Sequence, residues 1–311
     1  MCFEKSIKLY PFEKLTVYYT IFTSILILIL WDKLEQPITQ ILGRALILVG
    51  LVGVSLLSDK YLKNDRPSTL IRILLQIGLL PFWYPDIYEF NKVFPNLDHF
   101  FVALEQNIFG FQPAIEFSKK LPFIWFSEAV YFGYFAYYPM IVGSVLYSFF
   151  VKQEELQRLM YIIMGAFFSF YLVFIFLPVA GPQFYYLAIG MENVFDSNFY
   201  EIGDYFKDQF EIMKGPGYFD GLFYQGVEMV QSGGECPIAA FPSSHVGIST
   251  VIMLWAKSVN NKLTIILFPV YILLCCATVY IQAHYLIDVF AGWIVGVLFF
   301  YLFNKLYMLR S

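Results

Sequence analysis

Three histidines occur in 311 residues, and two of them sit in short polar islands beside long apolar runs. The first island is Phe241-Pro242-Ser243-Ser244-His245, and the second is His284-Tyr285-Leu286-Ile287-Asp288. In the first, Ser243 or Ser244 is suited to cap the helix that the following apolar residues build. A capped helix start offers unpaired backbone N–H groups and the positive end of the helix dipole, which together favour a phosphate. His245 stands at that same place. In the second island, the i, i+4 spacing puts His284 and Asp288 on one helix face. An aspartate accepting the imidazole Nδ1–H fixes the tautomer and leaves Nε2 as a nucleophile, the orienting logic of a nucleophile–base–orienter set. Ionisable groups close to hydrocarbon are costly and are functional candidates by default. The two islands therefore read as one site for chemistry on a lipid phosphate, whereas His99, beside Asp98, reads as an interfacial residue. A third corner, Ala180-Gly181-Pro182-Gln183-Phe184, is expected to complete the pocket wall.

The elements that must carry these islands follow from composition. Hydrophobic residues make up 59% of the chain and charged residues 14%, with a mean hydropathy of +0.63. A soluble domain carries roughly a quarter charged residues, so this chain lacks the polar surface to cover a globule in water. Its 35 Phe and 24 Tyr suit packing among lipid tails and at interfaces. The expectation is an all-α integral membrane protein. No basic tract points to nucleic acid, and the four cysteines (Cys2, Cys236, Cys275, Cys276) have no metal-ligand or redox spacing. No metal, cofactor or structural disulfide is expected. The first fifteen residues mix Lys5, Lys8 and Lys14 with Glu4 and Glu13 and lack a small-residue cleavage site, so the first apolar run reads as a retained span.

A crossing helix needs about 20 mostly apolar residues. Eight stretches approach this: Val17–Trp31, Ala45–Leu57, Leu70–Tyr84, Ile124–Phe150, Leu159–Val179, His245–Ala256, Leu263–Ile281 and Val289–Phe303. Eight crossings put both termini on one side. That side collects Lys5, Lys8 and Lys14, then Lys60, Lys63, Arg66 and Arg72, then Lys152 and Arg158, then Lys257 and Lys262, then Lys305 and Arg310. By the positive-inside rule it is cytoplasmic. Both histidine islands then face the exterior, the periplasm or an organelle lumen. Two long segments lie on that outer side. Residues 85–123 read as an interfacial or re-entrant piece, and residues 181–241 as an acidic loop, a solvated cap rather than a cation-binding lid. The whole chain reads as one membrane domain, with N-terminal spans and the interfacial segment to about residue 123 and a catalytic helical core over 124–311.

Pro242-Ser243-Ser244-His245, followed about forty residues later by His284 and Asp288, resembles the second and third motifs of the type 2 phosphatidic acid phosphatase superfamily. Ala180-Gly181-Pro182, Phe109-Gly110-Phe111-Gln112-Pro113 and Gln282-Ala283-His284-Tyr285 extend the resemblance to the branch containing inositol phosphorylceramide synthases. The resemblance implies a six-helix core and no metal. It implies that His284 attacks phosphorus to form a phosphohistidine and that Asp288 orients it. His245 then protonates the leaving oxygen, and the Ser243–Ser244 backbone holds the phosphate beside Gly181 and Gln183. Three positions depart from the pattern. Thr278 stands where the third motif usually has an arginine, and Gln183 where the branch often has one. The only Arg-Pro pair, Arg66-Pro67, falls on the cytoplasmic side. Lys119 and Lys120, the one adjacent pair of cations on the outer side, read as interfacial anchors near lipid head groups, or one of them replaces the charge missing at Thr278. A thin cationic clamp suits a singly charged phosphodiester, and so favours transfer of a phosphoryl head group from a phospholipid donor to a lipid alcohol such as ceramide. Hydrolysis of a lipid phosphate by water is the alternative. A non-catalytic lipid transporter or scramblase is a third reading, in which neither histidine is essential.

Overall fold

The structure, a computed structural model, describes residues 8–62 and 65–310. Cys2, Lys5 and Lys63, which enter the sequence argument, lie outside the described residues. Among the described residues the chain is helical and has no strand. The N-terminal part holds α1 (Pro11–Ile29), α2 (Pro37–Tyr61) and α3 (Asp65–Asn91), followed by two shorter helices, α4 (Asp98–Phe109) and α5 (Pro113–Lys120). Next come α6 (Ile124–Phe135), α7 (Tyr137–Val151) and α8 (Gln153–Phe176). The acidic segment contains α9 (Pro182–Ile189), α10 (Met191–Phe195) and α11 (Leu222–Ser232). The chain closes with α12 (Ser244–Val259), α13 (Asn261–Tyr280) and α14 (Leu286–Met308).

All eight apolar stretches form helices, but their crossing lengths differ. α1, α2, α3, α8, α13 and α14 are each long and apolar enough to span a bilayer. α6 and α7 qualify only as a pair bent by 48° about Ala136. α12 has 16 residues, about 24 Å of helix, and is buried along most of its length. Among the described residues six helices therefore reach crossing length, or seven spans with the bent pair. Apolar side chains such as Leu46, Val49, Ile265 and Ile294 cover the outside, as expected of a surface facing lipid rather than water. The chain is a multi-pass membrane protein.

α8 is the hub. It packs against α1, α3, α7, α12 and α14, and its burial on nearly all sides from Arg158 on matches the apolar run that follows that residue. One hydrophobic cluster runs from Phe12 in α1 to Phe303 in α14, so the N-terminal helices and the rest share a core. Two buried ion pairs lock α1–α3. Arg44 makes a two-pronged contact with Asp86 at 2.9 and 2.6 Å, and Arg72 pairs with Glu13 while lying 3.9 Å from the Tyr10 ring centre. Buried charges persist only when paired. Arg72 is thus neutralised in the core rather than available as a free cytoplasmic charge.

α12 and α14 approach closely because α14 carries Gly292 and Gly296 where they meet. A Cβ at Gly292 would lie 2.6 Å from the Ser243 carbonyl oxygen, and one at Gly296 would lie 2.6 Å from that of Gly247. Small residues four apart let two backbones touch in this way. Here they bring the starts of the two histidine-bearing segments together.

Candidate active site

The structure unites the two islands. Ser243 is the cap of α12, its Oγ accepting from the Val246 amide at 3.4 Å. Its own N–H donates to the Asp288 carbonyl at 3.1 Å, tying the first island to the second. The imidazoles of His245 and His284 meet edge to face, their ring centres 5.7 Å apart and their planes at 67°. The amides of Ser244 and His245, in the first turn of α12, have no acceptor among the described residues. No acidic residue stands in that turn.

His245 is held by aromatic walls. Its ring stacks on Tyr134 at 4.8 Å and tilts against Tyr137 at 4.5 Å. These tyrosines lie on either side of Ala136, where α6 gives way to α7. The bend therefore presents two rings to one imidazole.

His284 lies in the loop between α13 and α14. Gln282 takes a left-handed backbone, φ +66°, uncommon for a residue other than glycine, and His284 N–H returns to the Thr278 carbonyl at 2.9 Å. The side chain is 3% exposed. Its Nδ1 lies 2.8 Å from the Ala240 carbonyl oxygen. A carbonyl only accepts, so Nδ1 carries the proton and Nε2 keeps its lone pair. The sequence reading gave that task to Asp288, and the structure redistributes it. Asp288 Oδ2 is 3.6 Å from Nδ1 and accepts the Tyr285 amide at 2.8 Å instead. Asp288 shapes the loop, while Ala240 selects the tautomer. Burial pushes the His284 imidazole down to about 4, against the smaller opposing effects of the Ala240 carbonyl and of Glu235. His284 is neutral at pH 7.

The third corner packs against both islands. Gly181 has φ +94°, and a Cβ there would lie 2.6 Å from the Ala283 carbonyl oxygen. Its amide is already bonded to Asp98 at 2.8 Å, so Gly181 contributes close packing rather than a free donor. The Gln183 amide donates to the Gln282 carbonyl at 2.9 Å. Its side-chain oxygen accepts from Gln231 of α11 at 3.2 Å.

The candidate cations are elsewhere. Lys119 and Lys120 approach Glu116 at 3.7 and 4.0 Å and lie over the rings of Phe195 and Phe111. Arg66 contacts Gln153 at the start of α8, whereas the Ala180–Gly181 corner follows the end of that helix. The 24 residues of α8 put about 36 Å between them. Thr278 is fully buried, its hydroxyl bonded to the Cys275 carbonyl at 2.9 Å. Cys236 is buried as well. Among the described residues no group of three or more His, Cys, Asp or Glu side chains is placed to hold a metal ion.

Sequence reasoning missed Ala240, Tyr134 and Tyr137. Ala240 acts through a backbone carbonyl, which leaves no mark in a residue type, and the two tyrosines are lost among 24. It also took 85–123 as a single interfacial piece. α3 continues to Asn91 instead, and α4 turns a buried face carrying Asp98, Val102 and Glu105 toward the site. Two carboxylates seven residues apart in an apolar run were the available signal.

No curated protein and no solved structure matches the chain. One family model does, described as the PAP2 superfamily, over residues 99–302, which include both islands, the third corner and all of α4 but Asp98. Its members are phosphatases or phosphotransferases. On that match, over more than half its length, this chain belongs to the PAP2 superfamily.

Proposed function

We propose that the protein is a membrane lipid phosphotransferase that works through a phosphohistidine. The observation that carries this reading is His284, neutral, fixed as the Nδ1–H tautomer and held 5.7 Å from the second imidazole. Nε2 of His284 attacks phosphorus, and the bond from phosphorus to the lipid oxygen of the donor breaks. His245, charged as the imidazolium once the phosphate anion binds beside it, gives that oxygen its proton and is left neutral. An acceptor hydroxyl then attacks phosphorus, passes its proton to His245 and releases the His284 nitrogen. The open amides of Ser244 and His245 hold the phosphate oxygens. A cavity of about 420 Å³, lined by α5, α13, α14 and Phe111, is apolar except for Glu116 and Lys120 and suits a lipid chain. Counting α12 as an eighth crossing beside those seven, this reading puts both termini on the cytoplasmic side and the active site on the outer or lumenal side.

Transfer is favoured over hydrolysis because the site lacks an arginine. Thr278 and Gln183 stand at the two expected positions, and Lys119, Lys120 and Arg66 are engaged elsewhere. A phosphodiester, with one negative charge, needs less compensation than a dianionic monoester. A head group passed to ceramide, as in the inositol phosphorylceramide synthase-like branch, fits this balance. The test is lipid mass spectrometry with purified protein in vesicles holding phospholipid donors and ceramide, together with acid-labile phosphate on the protein. Wild type is expected to form a head-group-bearing ceramide and a phosphoenzyme, and His284→Ala neither. Loss of His245 is expected to cost about 10²–10⁴-fold and to be partly rescued by a nitrophenolate leaving group. Release of free phosphate without ceramide product would make the enzyme a phosphatase. Undiminished lipid movement in both histidine variants without any turnover would make it a transporter.

A further inference from the structure

α4 sits beside the site without entering it, and its buried face ends on the loop that carries His284. Asp98 and Glu105 lie seven residues apart, two turns or about 10.5 Å along the helix, and both are fully buried. Asp98 accepts four hydrogen bonds. Oδ1 takes the Gly181 amide at 2.8 Å and the Tyr285 hydroxyl at 2.9 Å. Oδ2 takes the Ala180 amide at 2.6 Å and the Asn96 side chain at 2.7 Å. Glu105 Oε1 accepts the Leu286 amide at 2.6 Å and the Ile287 amide at 3.3 Å. One helix thus grips residues 285, 286 and 287, immediately after His284, and the corner whose Gly181 packs on Ala283, immediately before it.

Burying two acids is expensive unless their oxygens are used as hydrogen-bond acceptors. Burial and the nearby Asp288 push Glu105 up to about 8, and its Oε2 has no partner among the described residues. A residue selected only to fill space would not be an acid beside another acid. What the arrangement secures is position. The Tyr285, Leu286 and Ile287 amides are all bound by carboxylates, from Asp288 and Glu105. The loop then has one conformation, and Nδ1 of His284 stays on Ala240.

We infer that Asp98 and Glu105 of α4 are positioning residues for His284, clamping its loop from both sides so that Nε2 is presented in one orientation. The inference rests on the reading of His284 as the nucleophile. Its geometry makes unequal demands on the two acids. Only one oxygen of Glu105 is used, so glutamine can replace it. Both oxygens of Asp98 accept, so asparagine must turn an NH₂ group toward two donors.

The chain has three histidines, so ring-¹⁵N labelling gives a spectrum simple enough to assign with His99→Gln and His245→Gln. Wild type and Glu105→Gln are expected to show His284 as a single Nδ1–H tautomer. Glu105→Ala and Asp98→Asn are expected to show both tautomers in exchange. In these two variants kcat for phosphoenzyme formation should fall about 10–100-fold, with KM within about threefold of wild type. Tyr285→Phe, which removes one donor from Asp98, should be non-additive with Asp98→Asn. An unmoved His284 signal in a folded Glu105→Ala protein would overturn the inference, and this holds even if Asp98→Asn does not fold. If the nitrogen signals change as expected while wild type turns over no lipid, the catalytic reading of His284 falls and the clamp stands.

Discussion

α12 and α14 run side by side and each begins next to one of the paired histidines, yet their first turns are furnished in opposite ways. At α14 the leading amides are filled from within the protein, by Asp288 and by Glu105 from α4. At α12 the Ser243 hydroxyl reaches the Val246 amide at 3.4 Å, and no acid stands in the first turn. Both ends carry the same partial positive charge, worth about 0.3–1 kcal/mol to a nearby anion and up to ~2 kcal/mol when partly buried. α14 uses it to hold a loop still. α12 leaves it open. In the proposed mechanism, one helix start places the nucleophile and the other receives the phosphate.

The sharpest way to break this contrast is to furnish α12 as α14 is furnished. Ser244→Asp puts a carboxylate in the open turn, where it competes with phosphate for the same amides. We expect kcat/KM for the lipid donor to fall about 100-fold, or ~2.7 kcal/mol, while the unfolding midpoint stays within a few degrees. A wild-type kcat/KM would show that the phosphate binds elsewhere.

A second test isolates the α14 side. In a His245→Ala background with a nitrophenyl phosphodiester, only the nucleophile's protonation should limit the rate at low pH. The imidazole of His284 is depressed to about 4 by burial, so it stays neutral, and reactive, at all pH values above that. The rate of phosphoenzyme formation should hold level from pH 7 to 5 and fall only as pH drops through about 4. A fall centred near 6.5 would mean that His284 is solvated when it reacts.

The smallest expected effect concerns charge near the open turn. Gln183→Arg adds a guanidinium at the corner, where it can bind phosphate in a forked manner. The ratio of monoester hydrolysis to diester head-group transfer should rise several-fold. An unchanged ratio in folded protein would remove the electrostatic argument for transfer and leave the family resemblance alone to support it.

Much of this was legible in the sequence where the signal is local. Long apolar stretches read as helices because hydropathy is a property of neighbours. The two islands stood out because polar residues are scarce around them. Boundaries failed where polar residues are satisfied inside helices. α3 seemed to stop at Tyr84 but runs to Asn91, because Asp86 pairs with Arg44 and the Asn91 side chain donates to the Phe174 carbonyl at 2.8 Å. α1 begins at Pro11 rather than Val17 because Glu13 is paired with Arg72. The agent that sets the His284 tautomer was not legible. It is a carbonyl 44 residues away, and no pattern of residue types encodes it.

The break at Ala136 has a consequence for the membrane itself. α6 and α7 have 12 and 15 residues, about 18 and 22 Å of helix. Laid end to end as one span they exceed the roughly 30 Å hydrocarbon layer. The 48° bend shortens the pair to about 34 Å along the axis of α7. A thicker bilayer favours a straighter span, and straightening draws Tyr134 and Tyr137 away from the ring they pack against. Bilayer thickness is then expected to act on the wall beside His245, and with His245 as the proposed proton donor the same protein should run its leaving-group step at different rates in thin and thick membranes.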